Sequence, residues 1–408
     1  MLEQANPVPL KGIIQLSDVT PYDSTAIPRI KTMIPALDET IGGLAEGAVT
    51  VFTGKPGDGK LLSDNTPVLT RKGWKKHGDL ILGDEVVGLD GRFKKVTHIF
   101  PKGMADMKIL FSNGEHILCH RNHEWVVEYH TGNSYKRRIT TTQELYNAFE
   151  SSEGYRIAKN GKRSYRFKLP LRSPLDTEDK VLAVPPYTLG AWLGDGRNRA
   201  PDICTAPHDT AIVQQILRDG YDITWRTIHK KTGCHYISFR GLRKDLQKLG
   251  FCHSRKTVEK YIPSSYLTAS YAQRISLLAG LLDTDGYYDR AKGCYVYSTV
   301  DESLRESFKQ LLSTFGWSFG ERQQVAHTSS SGIVGKRDSY QISFAPKDHI
   351  PCVLPRKQVT HYTPQHRISI IGIEPCQPVQ GNCISVEDGI YCVGHTMLPT
   401  HNSTLAGQ

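Results

Sequence analysis

Apolar residues in this chain come in short bursts separated by polar and glycine-rich breaks. Ala48–Thr53 (AVTVFT) reads as a short buried strand. Cys234–Phe239 (CHYISF) and Tyr295–Thr299 (YVYST) read as β-rich stretches. Leu189–Gly196 (LGAWLGDG) and Leu278–Gly286 (LAGLLDTDG) read differently. Each is a short helix with small residues on one face and an acid–glycine end. Thr140–Asn147 reads as a short helix with a hydroxyl cap. Pro351, Pro355 and Arg356-Lys357 mark a linker. The longest apolar runs, such as Ile368–Ile371, are strand-sized and far below the ~20 residues of a membrane span.

Length changes this picture first: 408 residues suggest two to three domains. The first residues lack a basic and apolar leader, so a secretory signal is not expected. Nine cysteines without a CxxC pair argue against a disulfide scaffold or structural zinc and for a reducing, cytoplasmic setting. Charge is uneven. Residues 1–60 hold five Lys/Arg and seven Asp/Glu, while 61–402 hold 46 and 34, so the positive excess of +12 sits in the middle. Such an excess is either a solvated surface or a footprint for nucleic acid.

Gly54-Lys55-Pro56-Gly57-Asp58-Gly59-Lys60 follows the first strand as a phosphate loop, but Leu61 stands where a Ser or Thr must ligate Mg²⁺. The missing half appears only at the far end of the sequence, as Ser403-Thr404-Leu405-Ala406-Gly407-Gln408. Joining Lys60 to Ser403 gives GKPGDGKSTLAGQ, a complete loop opening a helix. Gly54, Gly59, Lys60, Ser403 and Thr404 would then hold ATP and Mg²⁺ after the insert has left. Upstream, Ile34–Leu44 resembles the lead-in to the ATPase core of RecA-like and DnaB-type replicative helicases.

His401-Asn402-Ser403 supplies the exit chemistry. An Asn amide can attack its own carbonyl and cleave the following bond, a preceding His can polarise that carbonyl, and a Ser is an acyl acceptor. In this place the tripeptide resembles the end of an intein. Leu62–Thr70 resembles an intein's opening strand, and Gly114–Trp125 resembles the motif whose histidine, here His123, activates the first scissile bond. Leu61 cannot serve as the usual first nucleophile. Trp125, Cys383 and Thr400 together resemble the signature of class 3 inteins, which implies that Cys383 attacks instead and that Leu61→Ala is tolerated.

The helix pair resembles the LAGLIDADG homing endonucleases. Small residues let two helices approach, and paired carboxylates can share divalent metal. The resemblance implies Asp195 and Asp285 as Mg²⁺ ligands, Asp283 as a non-catalytic acid, and Lys260 near the cleaved phosphate. It also implies a monomer with two pseudo-symmetric halves and a DNA-facing β-sheet. The partner is double-stranded DNA of the uninterrupted host gene, with no membrane involved.

The expected fold is a β-rich Hint horseshoe, an α/β LAGLIDADG endonuclease and a short piece of an α/β RecA-like P-loop ATPase. The expected boundaries are 1–60 (host), 61–182 (first Hint region), 183–350 (endonuclease), 351–402 (second Hint region) and 403–408 (host). Two other readings stay open: a splicing-defective relic that only binds or cuts DNA, and a P-loop ATPase with a structural insertion. Loss of the hydroxyl at Leu61 weighs against the last.

Overall fold

The computed structural model describes residues 28–32, 38–39, 42–45 and 60–401, apart from 132–133, 198–199, 231–232, 253–258, 327–336 and 360–365. The chain divides into two units, 1–55 and 56–408. In the first, Arg29–Ile30 pairs antiparallel with Leu44–Ala45, and the Asp38 carboxylate accepts from the Thr32 N–H and hydroxyl. The strand expected at Ala48–Thr53 and the phosphate loop before Lys60 lie outside the described residues.

The second unit holds two large hydrophobic cores. One is built from both ends of the sequence, running from Leu62 to Leu169 and from Ile370 to Leu398. Its sheets interleave those ends. Strand Ile370–Asn382 closes a four-stranded barrel with Leu62–Ser63, His116–Cys119 and Gly103–Phe111. Ile384–Val386 joins a five-stranded sheet beside Phe93–Ile99. The strand Gly103–Phe111 alternates buried and half-buried residues from Ala105 onward, the period-two signature of a sheet with one face on the core. Helix α1 (Thr142–Glu150) starts where the hydroxyl pattern foretold, with Thr141 and Glu144 forming a reciprocal capping box.

The other core takes its residues from Val184 to Leu354. Helices α2 (Pro186–Asp195), α3 (Thr210–Arg218), α4 (Leu242–Lys248), α5 (Ser264–Leu267), α6 (Tyr271–Asp285) and α7 (Glu302–Thr314) pack on two antiparallel sheets. In the first sheet His235–Phe239 lies between Ile203–Thr205 and Ile223–Ile228. In the second, Cys294–Thr299 and Ser339–Phe344 lie inside Gly286–Asp289 and Phe319–Gln324. Both stretches read as β-rich are thus inner strands. Helix α6 is longer than its motif, extending back to a capping box at Ser270 and Gln273.

One expectation, about the return segment, needs correction. The segment after 350 does not leave as a linker: Cys352 and Leu354 are buried in the second core, and Lys357 is buried as well. Its prolines fooled the pattern, because a turn that packs has the same composition as one that does not. Lys60 is anchored in the second unit through His123 and Glu124.

Candidate functional site

Two sites can be built from the residues upward, one where the ends of the insert meet and one at the base of the helix pair.

At the first, His123 is buried and lies between the two junctions. Its Nδ1 is 2.9 Å from the carbonyl oxygen of Lys60, the residue before the first scissile bond. Its Nε2 is 2.6 Å from Thr400 Oγ1, two residues before Asn402. A carbonyl only accepts, so Nδ1 carries the proton and donates, and the Thr400 hydroxyl donates to Nε2. Burial pushes the imidazole down to about 3, so this tautomer is the neutral ring. A neutral ring already donating to a carbonyl is placed to stabilise negative charge building on that oxygen.

Trp125 is fully buried beside His123, with ring centroids 5.0 Å apart. Its Nε1–H donates to Thr142 Oγ1 at 3.0 Å, and that hydroxyl donates to the His123 carbonyl at 3.1 Å. The first residue of α1 therefore fixes both motif residues. The His120 N–H holds the Leu61 carbonyl at 2.9 Å. Cys383 is buried in a small cluster with Leu61 and Phe100, beside the residue that follows Lys60. Cys119 and Cys392 are poor rivals, because burial pushes each thiol up to about 12.

Glu124, which pattern reading passed over, touches both junctions. Its Oε1 is 2.9 Å from Lys60 Nζ and its Oε2 is 2.7 Å from His401 Nδ1. Burial lowers the His401 pKa, and the neighbouring carboxylate opposes that shift. His77 was missed too. It is fully buried, with Nδ1 2.6 Å from Asn382 Oδ1 and Nε2 2.8 Å from the Tyr391 hydroxyl, so it braces the residue before Cys383. Burial pushes it down to about 4. A lone His before Gly-Asp gave no signal of this. Asn402, Ser403, Thr404, Gly54 and Gly59 lie outside the described residues.

At the second site, α2 and α6 meet through glycines. A Cβ on Gly190 would run into the Leu277 carbonyl, and one on Gly280 into the Tyr187 carbonyl. Asp195 and Asp285 end the two helices. Burial and the Asp285 charge push Asp195 up to about 7, and burial raises Asp285 also. Beside them opens a cleft of about 360 Å³ lined by Asp285, Gly194, Gly196, Lys260, Asp301 and other residues. Two half-buried carboxylates held at one place lack a paired counter-charge, and a hard divalent cation completed by water and phosphate oxygens would supply it and keep both ionised. Among the described residues no group of three or more His, Cys, Asp or Glu forms an all-protein cage.

Lys260 does not point at the cleft alone. Its Nζ lies 2.6–3.1 Å from the carbonyl oxygens of Trp192, Leu193, Gly194 and Gly196, so its three N–H groups are shared among four acceptors and cap the end of α2. Burial lowers it to about 8. Lys357 does the same for α6, donating to Leu282, Asp283 and Thr284 at 2.5–3.1 Å. The sequence held a signal, because Lys260 follows Asp195 at nearly the spacing at which Lys357 follows Asp285. Asp283 is buried and accepts from Tyr187 Oη and from the Val353 and Leu354 N–H groups, clamping the end of α6 to the segment after 350.

Residues 272–339 match the model of the LAGLIDADG-like domain, so the chain contains such a domain around α6. Over 87% of its length the chain is 29% identical to a replicative DNA helicase DnaB of Mycobacterium intracellulare. The chain spans about 60% of the length of that relative. Similar solved structures include the MchDnaB-1 intein, 27% identical over 19% of this chain and 57% of that one, with a TM-score of 0.16. They also include I-DmoI in complex with DNA and Ca, 14% identical over 41% of this chain and 84% of that one, with a TM-score of 0.26. These findings show a LAGLIDADG-like domain within the chain and a likeness of most of the chain to DnaB-type sequence. The architecture is a β-rich core built from both ends of the second unit with an α/β core between them, as the motifs implied. Among the described residues, no helix is long and apolar enough to cross a membrane.

Proposed function

We propose that the chain excises residues 61–402 and joins Lys60 to Ser403, and that the excised segment cuts the DNA of the uninterrupted gene. The observation that carries the splicing half is His123, one imidazole bonded both to the Lys60 carbonyl and to Thr400.

The steps follow from the residues. Cys383 Sγ attacks the Lys60 carbonyl carbon, the His123 Nδ1–H stabilises the oxyanion, and the Lys60–Leu61 C–N bond breaks. The thiol proton goes to the Leu61 nitrogen. The resulting thioester passes its acyl group to Ser403 Oγ, returning the thiol. Asn402 then closes to a succinimide, aided by His401, and frees Ser403, whose amine takes the acyl group from oxygen to nitrogen. Ester and thioester are close in energy, so placement rather than driving force governs the transfer. Hydroxylamine should release an N-terminal fragment ending at Lys60 from wild type but not from Cys383→Ala. Release from both would end this reading.

For the endonuclease half, Asp195 and Asp285 would hold Mg²⁺, which would supply charge stabilisation and an activated water at a phosphodiester. Lys260 and Lys357 would keep the helix ends, and so the carboxylates, in register. Asp195→Asn should abolish double-strand cutting across the Lys60/Ser403 codons while sparing splicing. Undiminished cutting would remove Asp195 from the site. The joined host loop, with Gly54, Gly59, Lys60, Ser403 and Thr404, would bind ATP and Mg²⁺ in a cytoplasmic helicase. In the precursor Lys60 is instead engaged by Glu124.

A further inference from the structure

One buried polar group near the paired acids has no part in the site described above. Tyr297 lies in the inner strand Cys294–Thr299 and is fully buried. Among the described residues its hydroxyl has no hydrogen-bond partner. Tyr187, Tyr266 and Tyr295, buried in the same core, each donate to a carboxylate or a carbonyl. Leaving a buried donor unmatched is costly, so a hydroxyl kept at such a place calls for a role.

The register puts Tyr297 beside the acids. It pairs directly with Gly286, the residue after Asp285. Its ring is stacked on Phe308 of α7 with centroids 4.0 Å apart, which holds the phenol in place. Burial, and after it the charges of Asp285, Asp301 and Asp195, raise its pKa, so the oxygen keeps its proton as a donor. Packing alone does not require that donor. The same geometry recurs at the other acid, where Gly196, the residue after Asp195, pairs with Ile203. Ile203 is as buried as Tyr297 and wholly apolar. Asp285 also needs a support that its neighbour already has. Three donors hold Asp283, whereas burial and the charges of Lys260, Lys357 and Asp301 act on Asp285, and among the described residues no hydrogen bond orients its carboxylate.

We propose that Tyr297 is a positioning residue of the endonuclease, its hydroxyl donating through one bridging water to the Asp285 carboxylate and so orienting it as a metal ligand. The inference rests on the endonuclease reading above and deepens it, giving Asp285 a support for which Asp195 has no counterpart at Ile203. Water is the ordinary bridge between polar groups that face each other beyond direct reach. A ligand oxygen fixed by an outer donor binds its cation more tightly, because less orientation is lost when the cation arrives.

Tyr297→Phe removes the oxygen and keeps the ring, so it separates this role from packing. When the full chain is titrated with Mg²⁺ alone in a calorimeter, the variant should bind the cation about 10-fold more weakly than wild type. Cutting of the joined coding site should slow at low Mg²⁺ and recover as Mg²⁺ is raised. Without metal, the urea midpoint of the endonuclease should equal wild type or rise, since an unmatched buried donor has gone. Equal Mg²⁺ affinity in the two proteins would overturn the proposal. A lowered midpoint without metal would overturn it too, by giving the hydroxyl a structural partner. Wild type that neither binds Mg²⁺ nor cuts would overturn the endonuclease reading, and this role with it.

Discussion

Glu124 joins the two ends of the insert through one side chain, with Lys60 on one oxygen and His401 on the other. Partly exposed ion pairs of this kind contribute roughly 0.2–1 kcal/mol. Glu124→Gln should therefore slow cleavage after Asn402 by up to about 5-fold, read by gel from the rate at which the C-terminal flank is released. An unchanged rate would leave Glu124 a spectator. Leu61 is a second residue-scale case, and there the structure revises the sequence expectation. Its side chain does no chemistry, but it is 6% exposed and packs on Cys383. Leu61→Ala should cost about 2–3 kcal/mol of local packing and slow the first step. First-step kinetics equal to wild type would restore the expectation that the change is tolerated.

At the scale of elements, the helix pair was legible because its chemistry is written locally. Small residues facing a partner and an acid before glycine are sequence facts, and the close glycine contacts follow from them. Gly280→Val should lose about 1–3 kcal/mol or more from overpacking, seen as a lowered endonuclease unfolding transition, and should abolish cutting by moving Asp285. Lys357 carried only a spacing signal, following Asp285 much as Lys260 follows Asp195, and beside its prolines it otherwise looks like any surface lysine until the chain folds back. His77 and Glu124 were hidden for the same reason, as their partners Asn382 and His401 lie at the opposite end of the insert. The buried histidines also set a pH dependence. His77 and His123 have depressed folded values, about 4 and about 3, so both are neutral when folded yet bind protons when unfolded below about 6.5. Their stabilisation is complete above that value and is lost as pH falls toward 4. Together they should cost about 2.7 kcal/mol per pH unit in that window. Urea denaturation of the splicing unit at pH 7 and pH 5 checks this, and equal midpoints would contradict it.

Across the whole molecule, the broken phosphate loop announced both the insertion and its exit, because two halves of one motif had to be rejoined. The sequence did not reveal how the splicing unit's sheets interleave its ends, since pairing of Gly381–Asn382 with Leu62–Ser63 is set by a fold that spans nearly the whole insert. Nor did it reveal that the return segment belongs to the endonuclease core. The central claim is that a thiol far along the chain opens the Lys60–Leu61 bond. Its most direct test is the intact mass of the products when the chain is expressed between two foreign flanking domains. Wild type should give a ligated flank product and a free segment of residues 61–402. Cys383→Ala should give neither ligation nor cleavage at Leu61, leaving at most release after Asn402. Ligated flanks from Cys383→Ala would contradict the account.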